Sequence, residues 1–352
     1  MAEADRRTGF AGRSWPRVTV ALTAGSLVCV ILLAPPADAP PIRALSWLIF
    51  VGSSVHVAST GWLFTLPAVR GYAKAHLTRC VWVPAGLIGG AAVVAALMTP
   101  AAFQWLLLPY FWWQFYHYQK QNVGMAALAA AALQVRGLGK TERWSLVLAG
   151  VATLGVLAAD PKLVGLRVQL GWPWLRTAAL AVFILAVASG VAALARRPAA
   201  ARPNGYCAVY LTSLLFGLPA FVFASPYAAV GGMTVAHGLQ YLLLIALIAC
   251  QAGPPRPVRL ALLANIALIG GALLSAASHL HNSTQPGRLL FGAYLGVVMV
   301  HFVIDAGIWR MRDPLARSFI TQSLPFLPEA AARGGRQPAE PMTSSPRAIT
   351  VR

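Results

Sequence analysis

The sequence predicts an all-α protein, a polytopic transmembrane helical bundle of about ten spans with both termini in the cytoplasm. Charged residues make up only 11% of its 352 residues and hydrophobic residues 58%, whereas a soluble domain carries about 25% charged residues. The mean hydropathy is +0.66. Apolar runs of about 20 residues, the length that crosses a bilayer, recur along the chain. These observations favour one membrane-embedded bundle over residues 18–312 and exclude a large soluble domain.

A hydropathy window of about 19 residues locates the spans. The first ends at Pro35-Pro36, where two prolines stop a helix. The fourth contains the aromatic block from Trp105 to Tyr118 and continues as an Ala-rich amphipathic segment. The predicted spans are 18–34, 44–67, 80–98, 101–135, 144–159, 172–195, 205–224, 227–250, 258–278 and 287–309.

Basic residues alternate between the loops. Each loop of one set carries two or more of them, and the intervening loops carry almost none, apart from the 160–171 loop with Lys162 and Arg167. Because basic loops stay in the cytoplasm, an even number of spans with both termini cytoplasmic satisfies this alternation. The basic set comprises 70–79, 136–143, 196–202, 256–259 and the segment after 310, and the other set comprises 35–42, 99–101, 225–227 and 279–286.

The net charge of +19 does not indicate a nucleic-acid partner, because it lies mostly in these short loops and in two tails. It is typical of positive-inside loops that contact anionic membrane lipids. We expect residues 1–17 to form a cytoplasmic tail, followed by a first span that is retained rather than cleaved as a signal peptide. Residues 313–352, rich in Ser, Pro, Gly and Arg, predict a disordered cytoplasmic tail.

The tenth predicted span contains two ionisable residues, His301 and Asp305. They share one helical face because they lie four residues apart. Asp305 is the only carboxylate in any predicted span. Burying such a pair in lipid costs several kcal/mol unless it meets a partner, so the pair marks a functional site.

Four of the seven histidines lie in predicted spans, and we predict them to be metal ligands. At about 1.5 Å of rise per residue, their depths overlap near the middle and cytoplasmic half of the bilayer, so they can converge in the bundle core. Imidazole with carboxylate suits iron, copper or zinc, and open positions would suit iron with dioxygen. We therefore expect iron. The four are His56, His117, His237 and His301, on the second, fourth, eighth and tenth spans.

Three neighbouring side chains are predicted to be catalytic. Asp305 would orient His301 or complete the metal's ligands. Tyr241 and Gln121 would tune the site or move protons. Thr60 is expected beside the ring of His56, which precedes it by four residues.

Other interpretations of these residues stay open. A membrane histidine often serves only as a hydrogen-bonding link between helices, and the His301–Asp305 pair also suits a proton relay or a structural clasp. His76 lies in a basic loop and is expected to be solvated or at lipid headgroups, while His279 and His281 lie in a polar outer loop. The sequence contains no HxxxH, GxSxG, HExxH or P-loop motif.

Three segments resemble motifs of a bacterial family of multi-span membrane proteins. HGLQYL from His237 has the form HxxQYL, and HFVIDAGIWRMRDP from His301 begins with the form HFxxDxxIW. The third segment is YHYQKQNVG from Tyr116. The resemblance implies that these residues form one site in the bacterial inner (plasma) membrane, and it implies no activity. In design the chain is also distantly similar to the bacterial membrane carotenoid-cleaving dioxygenases, which hold iron with histidines from separate spans. Their motif words are not found in this sequence, so that similarity is an analogy.

The function predicted from these residues is an integral membrane metal-dependent oxidoreductase or oxygenase, with non-haem iron, that acts on a lipid-soluble small molecule. A proton-coupled transporter or permease using His301 and Asp305 is the alternative. The second alternative is a structural or assembly protein of the membrane.

Overall fold

The computed structural model describes residues 2–36, 39–251, 256–324 and 326–327, and within these the side chains from residue 14 onward except residue 282. Those residues form helices and loops with no strand. We label the α-helices in chain order, and three of them contain a π-helical turn, at Val51–Val55, Thr78–Trp82 and Tyr227–Gly231. The helices are α1 Ala2–Leu33, α2 Arg43–Leu63, α3 Pro67–Ala75, α4 Thr78–Leu97, α5 Pro100–Ala132, α6 Lys140–Ala159, α7 Trp174–Ala195, α8 Asn204–Leu214, α9 Pro219–Val222, α10 Tyr227–Gln251, α11 Arg256–Ser278, α12 Gln285–Ile308 and α13 Pro314–Ser323.

Eight helices in the described ranges are long and apolar enough to cross a membrane, namely α1, α2, α4, α6, α7, α10, α11 and α12. Their length and composition make this an integral, multi-pass membrane protein. The predicted count of about ten is not confirmed, because two predicted spans differ from these eight. Residues 205–224 break into α8 and the four-residue α9, and Pro219 begins the second piece. Helix α5 has 33 residues, but the polar run from Gln119 to Asn122 interrupts its apolar character.

Both segments that were predicted as tails contain helix. Helix α1 begins at Ala2, inside the segment predicted as an N-terminal tail. Helix α13 lies within 313–352, and Phe319 and Ile320 are buried in the main apolar cluster. Asp313 caps α13 by accepting bonds from the backbone N–H groups of the second and third residues after it. Composition alone pointed to disorder, but the helical spacing of these apolar residues gives α13 a face to bury. Residues 328–352 lie outside the described residues.

Helices α2 and α10 touch backbone to backbone through two glycines. A Cβ atom on Gly238 would lie 2.3 Å from the carbonyl oxygen of Gly52, and one on Gly52 would lie 2.5 Å from Cα of Val235. Side chains larger than hydrogen cannot fit at either position without separating the helices. Because His56 follows Gly52 by one helical turn and His237 precedes Gly238, this contact brings the two histidines together.

We expect Gly238→Ala to lower the free energy of unfolding by about 1–3 kcal/mol, the usual cost of overpacking a rigid contact. Thermal unfolding of the detergent-solubilised protein measures the change. The matched control is Gly89→Ala in α4, where a Cβ meets nothing within 4 Å and where alanine should be neutral or stabilising. Equal midpoints of thermal unfolding for the two variants would contradict the close contact between Gly52 and Gly238.

A buried ion pair, Arg197 with Glu142, joins the N-terminus of α6 to the C-terminus of α7. Nε of Arg197 donates to one carboxylate oxygen of Glu142 at 2.6 Å and Nη2 donates to the other at 2.8 Å. The remaining donors of Arg197 reach the backbone carbonyls of Arg136, Gly137 and Ala201. The guanidinium lies 4.3 Å above the ring centre of Tyr206 on α8. Glu142 lies just before the fifth predicted span, so the search for acids inside spans missed it.

Removing one partner of this pair leaves an uncompensated buried charge. Arg197→Gln should therefore cost about 3–5 kcal/mol of stability, again measured by thermal unfolding in detergent. Arg176→Gln is the control, because that arginine is half-exposed and lies 4.0 Å from Asp160, and such pairs contribute about 0–1 kcal/mol. A similar loss in both variants would refute the structural role of the Arg197 pair.

Candidate metal centre

Four imidazoles from four helices meet in the interior of the bundle. They form a closed ring in which each neighbouring pair of ring centres is 4.9 to 5.2 Å apart: His56 to His237 at 4.9 Å, His237 to His117 at 5.0 Å, His117 to His301 at 5.2 Å and His301 to His56 at 4.9 Å. One diagonal of this ring, His237 to His301, measures 6.2 Å. The four histidines expected to converge thus do so.

These separations suit ligands of one ion. Two imidazoles bound at about 2.0–2.1 Å hold their ring centres roughly 4.5 Å apart when their bonds meet at a right angle, roughly 5 Å apart near the tetrahedral angle, and just over 6 Å apart when they stand nearly opposite. The neighbouring and diagonal distances lie within this range. All neighbouring rings are also tilted by 75 to 90° to each other, so edges rather than faces meet.

The ring nitrogens are buried and largely unpaired. His56 is 2% exposed, His237 0% and His301 1%, and the His117 side chain is 10% exposed. Among the described residues, both ring nitrogens of His237 and Nε2 of His117 and of His301 lack a hydrogen-bond partner, and His56 has only the nearby backbone of Gly52 and Ser53. An unsatisfied buried polar group costs about 1–3 kcal/mol, and a bound metal ion would satisfy one nitrogen of each imidazole.

Possible ligand atoms fall into two overlapping groups. Those of His56, His237 and His301 lie within 4.8 Å of one another, and those of His117, His301 and Asp305 form a second such group. Oδ2 of Asp305 lies 3.6 Å from Nε2 of His301 and 3.7 Å from Nε2 of His117. His301 belongs to both groups, so the arrangement provides a nitrogen-rich site with one carboxylate at its edge.

A chain of hydrogen bonds determines which nitrogen of His301 carries the proton. When Asp305 is ionised it only accepts, so the hydroxyl of Tyr241 donates to its Oδ1 at 3.1 Å. The hydroxyl of Thr60 lies 3.0 Å from the Tyr241 oxygen and must donate to it. Oγ1 of Thr60 then accepts the bond from Nδ1 of His301, at 2.7 Å. Nδ1 therefore carries the hydrogen, and Nε2 presents its lone pair to the centre of the ring.

A second polar network supports His237 from the opposite side. The amide of Gln121 donates to the backbone carbonyl of His237 at 2.9 Å and to Oε1 of Gln240 at 2.8 Å. Gln240 in turn donates to the hydroxyl of Thr23 on α1 at 2.8 Å and to Oδ1 of Asn122 at 3.3 Å. These bonds hold α1, α5 and α10 in fixed relation, and the Tyr118 ring stacks on His237 at 4.1 Å.

The structure places each predicted site residue as follows. The four histidines, Asp305 and Tyr241 meet at one point, whereas Gln121 braces the backbone beside His237. Thr60 bonds His301 on α12 rather than its own neighbour His56. Thr23 was not anticipated, although Thr19 and Thr23 form a polar pair four residues apart in an apolar helix, which is a usable signal.

The remaining histidines lie apart from this cluster. His76 is 3.0 Å from Asp313 through Nε2 and stacks on Tyr72 at 4.2 Å, so it helps dock α13 rather than being merely solvated. His279 and His281 occupy a 3₁₀ turn, and their Nδ1 atoms bond backbone carbonyls.

No family model, curated protein or solved structure matches this chain. The motif resemblance noted in the sequence therefore stays a prediction, and the interpretation of the site depends on its geometry.

The hydrogen-bond chain predicts the tautomer of His301 in the metal-free protein. ¹⁵N NMR of histidine-labelled protein should show one buried imidazole as the Nδ1–H form. Thr60→Val keeps the shape and removes the hydroxyl, so that signal should change to a mixture of tautomers, whereas Thr60→Ser should preserve it. If Thr60→Val leaves every histidine signal unchanged, the chain does not control the tautomer.

Proposed function

We propose that this protein is an integral membrane metal-dependent oxidoreductase that holds a transition metal, iron in our proposal, with His56, His117, His237 and His301. The observation that carries the proposal is the ring of four imidazoles in which several buried nitrogens have no hydrogen-bond partner. A purely structural role for these histidines would leave those nitrogens unsatisfied. A bound metal would use their lone pairs, and Asp305 would complete or orient the ligands.

Imidazole nitrogens with a single carboxylate and no thiolate suit iron, copper or zinc. We propose iron because a position left open would admit an oxidant such as dioxygen. When bound, the metal would supply the electron transfer. The residues of the chain would supply a proton route, since Tyr241 donates to Asp305 and accepts from Thr60.

A lipid-soluble substrate is supported by how the site meets the surface of the bundle. His117 is the most exposed of the four ligands, and its ring lies 4.6 Å from the Phe302 ring. Phe302 in turn contacts Trp113 at 5.6 Å, and Trp113 is 37% exposed on the outer face of α5. We propose that the substrate approaches laterally from the bilayer past these two rings. The protein would be surrounded by membrane lipids and would lie in the bacterial inner membrane.

A proton-coupled permease remains the alternative. It would need only His301 and Asp305 as a coupling pair, and it gives no reason for His56, His117 and His237 to surround them. A structural or assembly protein also gives no reason for the four histidines to meet. In such a protein each imidazole would form hydrogen bonds to a neighbouring helix.

Metal analysis of the purified protein tests the proposal. We expect about one equivalent of a transition metal, falling below about 0.2 in His237→Ala and in His301→Ala. The control is His279→Ala, whose histidine lies outside the cluster and should retain the wild-type content. Thr60→Val should weaken metal affinity about 10- to 100-fold, the usual effect of losing an outer hydrogen bond to a ligand.

The outcome also separates the alternatives. Less than about 0.2 equivalents of any metal in wild-type protein, unchanged by the histidine variants, would overturn the metal centre. Loss of pH-dependent uptake in Asp305→Asn vesicles, with no metal in either protein, would support the permease instead.

A further inference from the structure

A second site lies where α4, α5 and α12 meet, away from the histidine ring. It is a cavity of about 130 Å³ lined by both polar and apolar side chains. We call Arg288, His281 and Gln104 its polar side, and Phe103, Leu107 and Phe291 its apolar side. Arg288 precedes His301 by thirteen residues on the same helix, so it lies about 20 Å from that ring along the helix axis.

The polar side of the cavity offers hydrogen-bond donors and positive charge. Arg288 is half-buried, and its Nη2 donates to the carbonyl of Met98. Among the described residues no carboxylate forms an ion pair with it. Oε1 of Gln104 already accepts from the backbone N–H of Arg167 at 2.8 Å, which leaves its NH₂ group to donate. Arg288 and Gln104 thus present donors, which suit an anion. His281 donates from Nδ1 to the carbonyl of Ser278, so Nε2 of its neutral ring is the one acceptor among these three side chains.

The position of Arg288 strengthens this interpretation. It lies in the first turn of α12, where the partial positive charge of the helix end disfavours a cation. An anion held there would interact favourably with both the guanidinium and the helix end. Arg288 also lies at the end of a candidate membrane span, the depth at which lipid headgroups are found.

The apolar side suits a hydrocarbon chain. The rings of Phe103 and Phe291 lie 6.1 Å apart, and they belong to an apolar cluster that also includes Leu295 and Phe302. This cluster follows α5 and α12 from the cavity into the bundle. A ligand with a charged head and an apolar chain would satisfy both sides of the cavity.

We propose that this cavity binds the anionic headgroup of a membrane lipid, with Arg288 pairing with its phosphate and the acyl chain lying against Phe103 and Phe291. The site does not depend on the presence of a metal in the histidine ring.

Native mass spectrometry tests the proposal. The full-length protein is mixed in detergent with a defined lipid, and the lipid that stays bound after the detergent is removed in the spectrometer is measured. The probes are a phosphatidylglycerol and a phosphatidylcholine with the same acyl chains. Wild-type protein should retain phosphatidylglycerol with at least about tenfold higher affinity, the range expected for a charge-assisted contact. Arg288→Gln should abolish that preference.

Arg43→Gln is the matched control, because Arg43 precedes His56 by thirteen residues on α2, as Arg288 precedes His301, but is exposed. It should leave the preference unchanged. If Arg288→Gln fails to fold, Gln104→Leu removes a second donor and should weaken phosphatidylglycerol binding by at least threefold. Competition with about 10 mM inorganic phosphate should have no effect.

Three results would overturn the proposal: equal retention of the two lipids by wild-type protein, the same loss in Arg43→Gln as in Arg288→Gln, or displacement of phosphatidylglycerol by inorganic phosphate. The last would mean that the cavity binds a soluble anion rather than a lipid.

Discussion

The structure depends on one constraint: polar atoms inside a membrane-embedded bundle have no water to satisfy them. Four imidazoles and a carboxylate nevertheless meet at one buried point, and several of their nitrogens face each other instead of a protein donor or acceptor. Evolution tolerates such a cost where the polar groups perform a function. A bound cation would lower that cost, because it would satisfy several lone pairs at once.

Other parts of the interior satisfy buried polar groups more completely. Arg197 uses all three of its nitrogens, bonding both oxygens of Glu142 and three backbone carbonyls. The polar network from Gln121 to Thr23 is joined through Gln240, although Nδ2 of Asn122 within it has no partner. Other buried side-chain atoms of the described residues also lack a partner, but the unpaired imidazole nitrogens differ from them in belonging to four adjoining rings.

Backbone packing explains how the four histidines are held together. The contact between Gly52 and Gly238 fixes α2 against α10, and the π-helical turn that ends at Val55 immediately precedes His56. A π turn adds a residue to the helix and changes the direction of the side chains after it, which is why such turns occur often at functional sites. The hydroxyl of Thr60 then ties α2 to α12 through His301. Rigid helices, rather than loops, thus position the ring.

Sequence by itself determined the helical, membrane-embedded class and the membership of the site, because apolar length and buried ionisable residues leave a strong local signal. His56, His117, His237, His301 and Asp305 could be named for that reason. The tertiary structure alone decided the partners. Thr60 bonds His301 and not His56, Gln121 braces a backbone carbonyl, and α13 packs on the core where composition indicated disorder. Hydrogen-bond partners and close glycine contacts depend on how separate helices rotate and cross, and residue spacing within one helix carries no information about that.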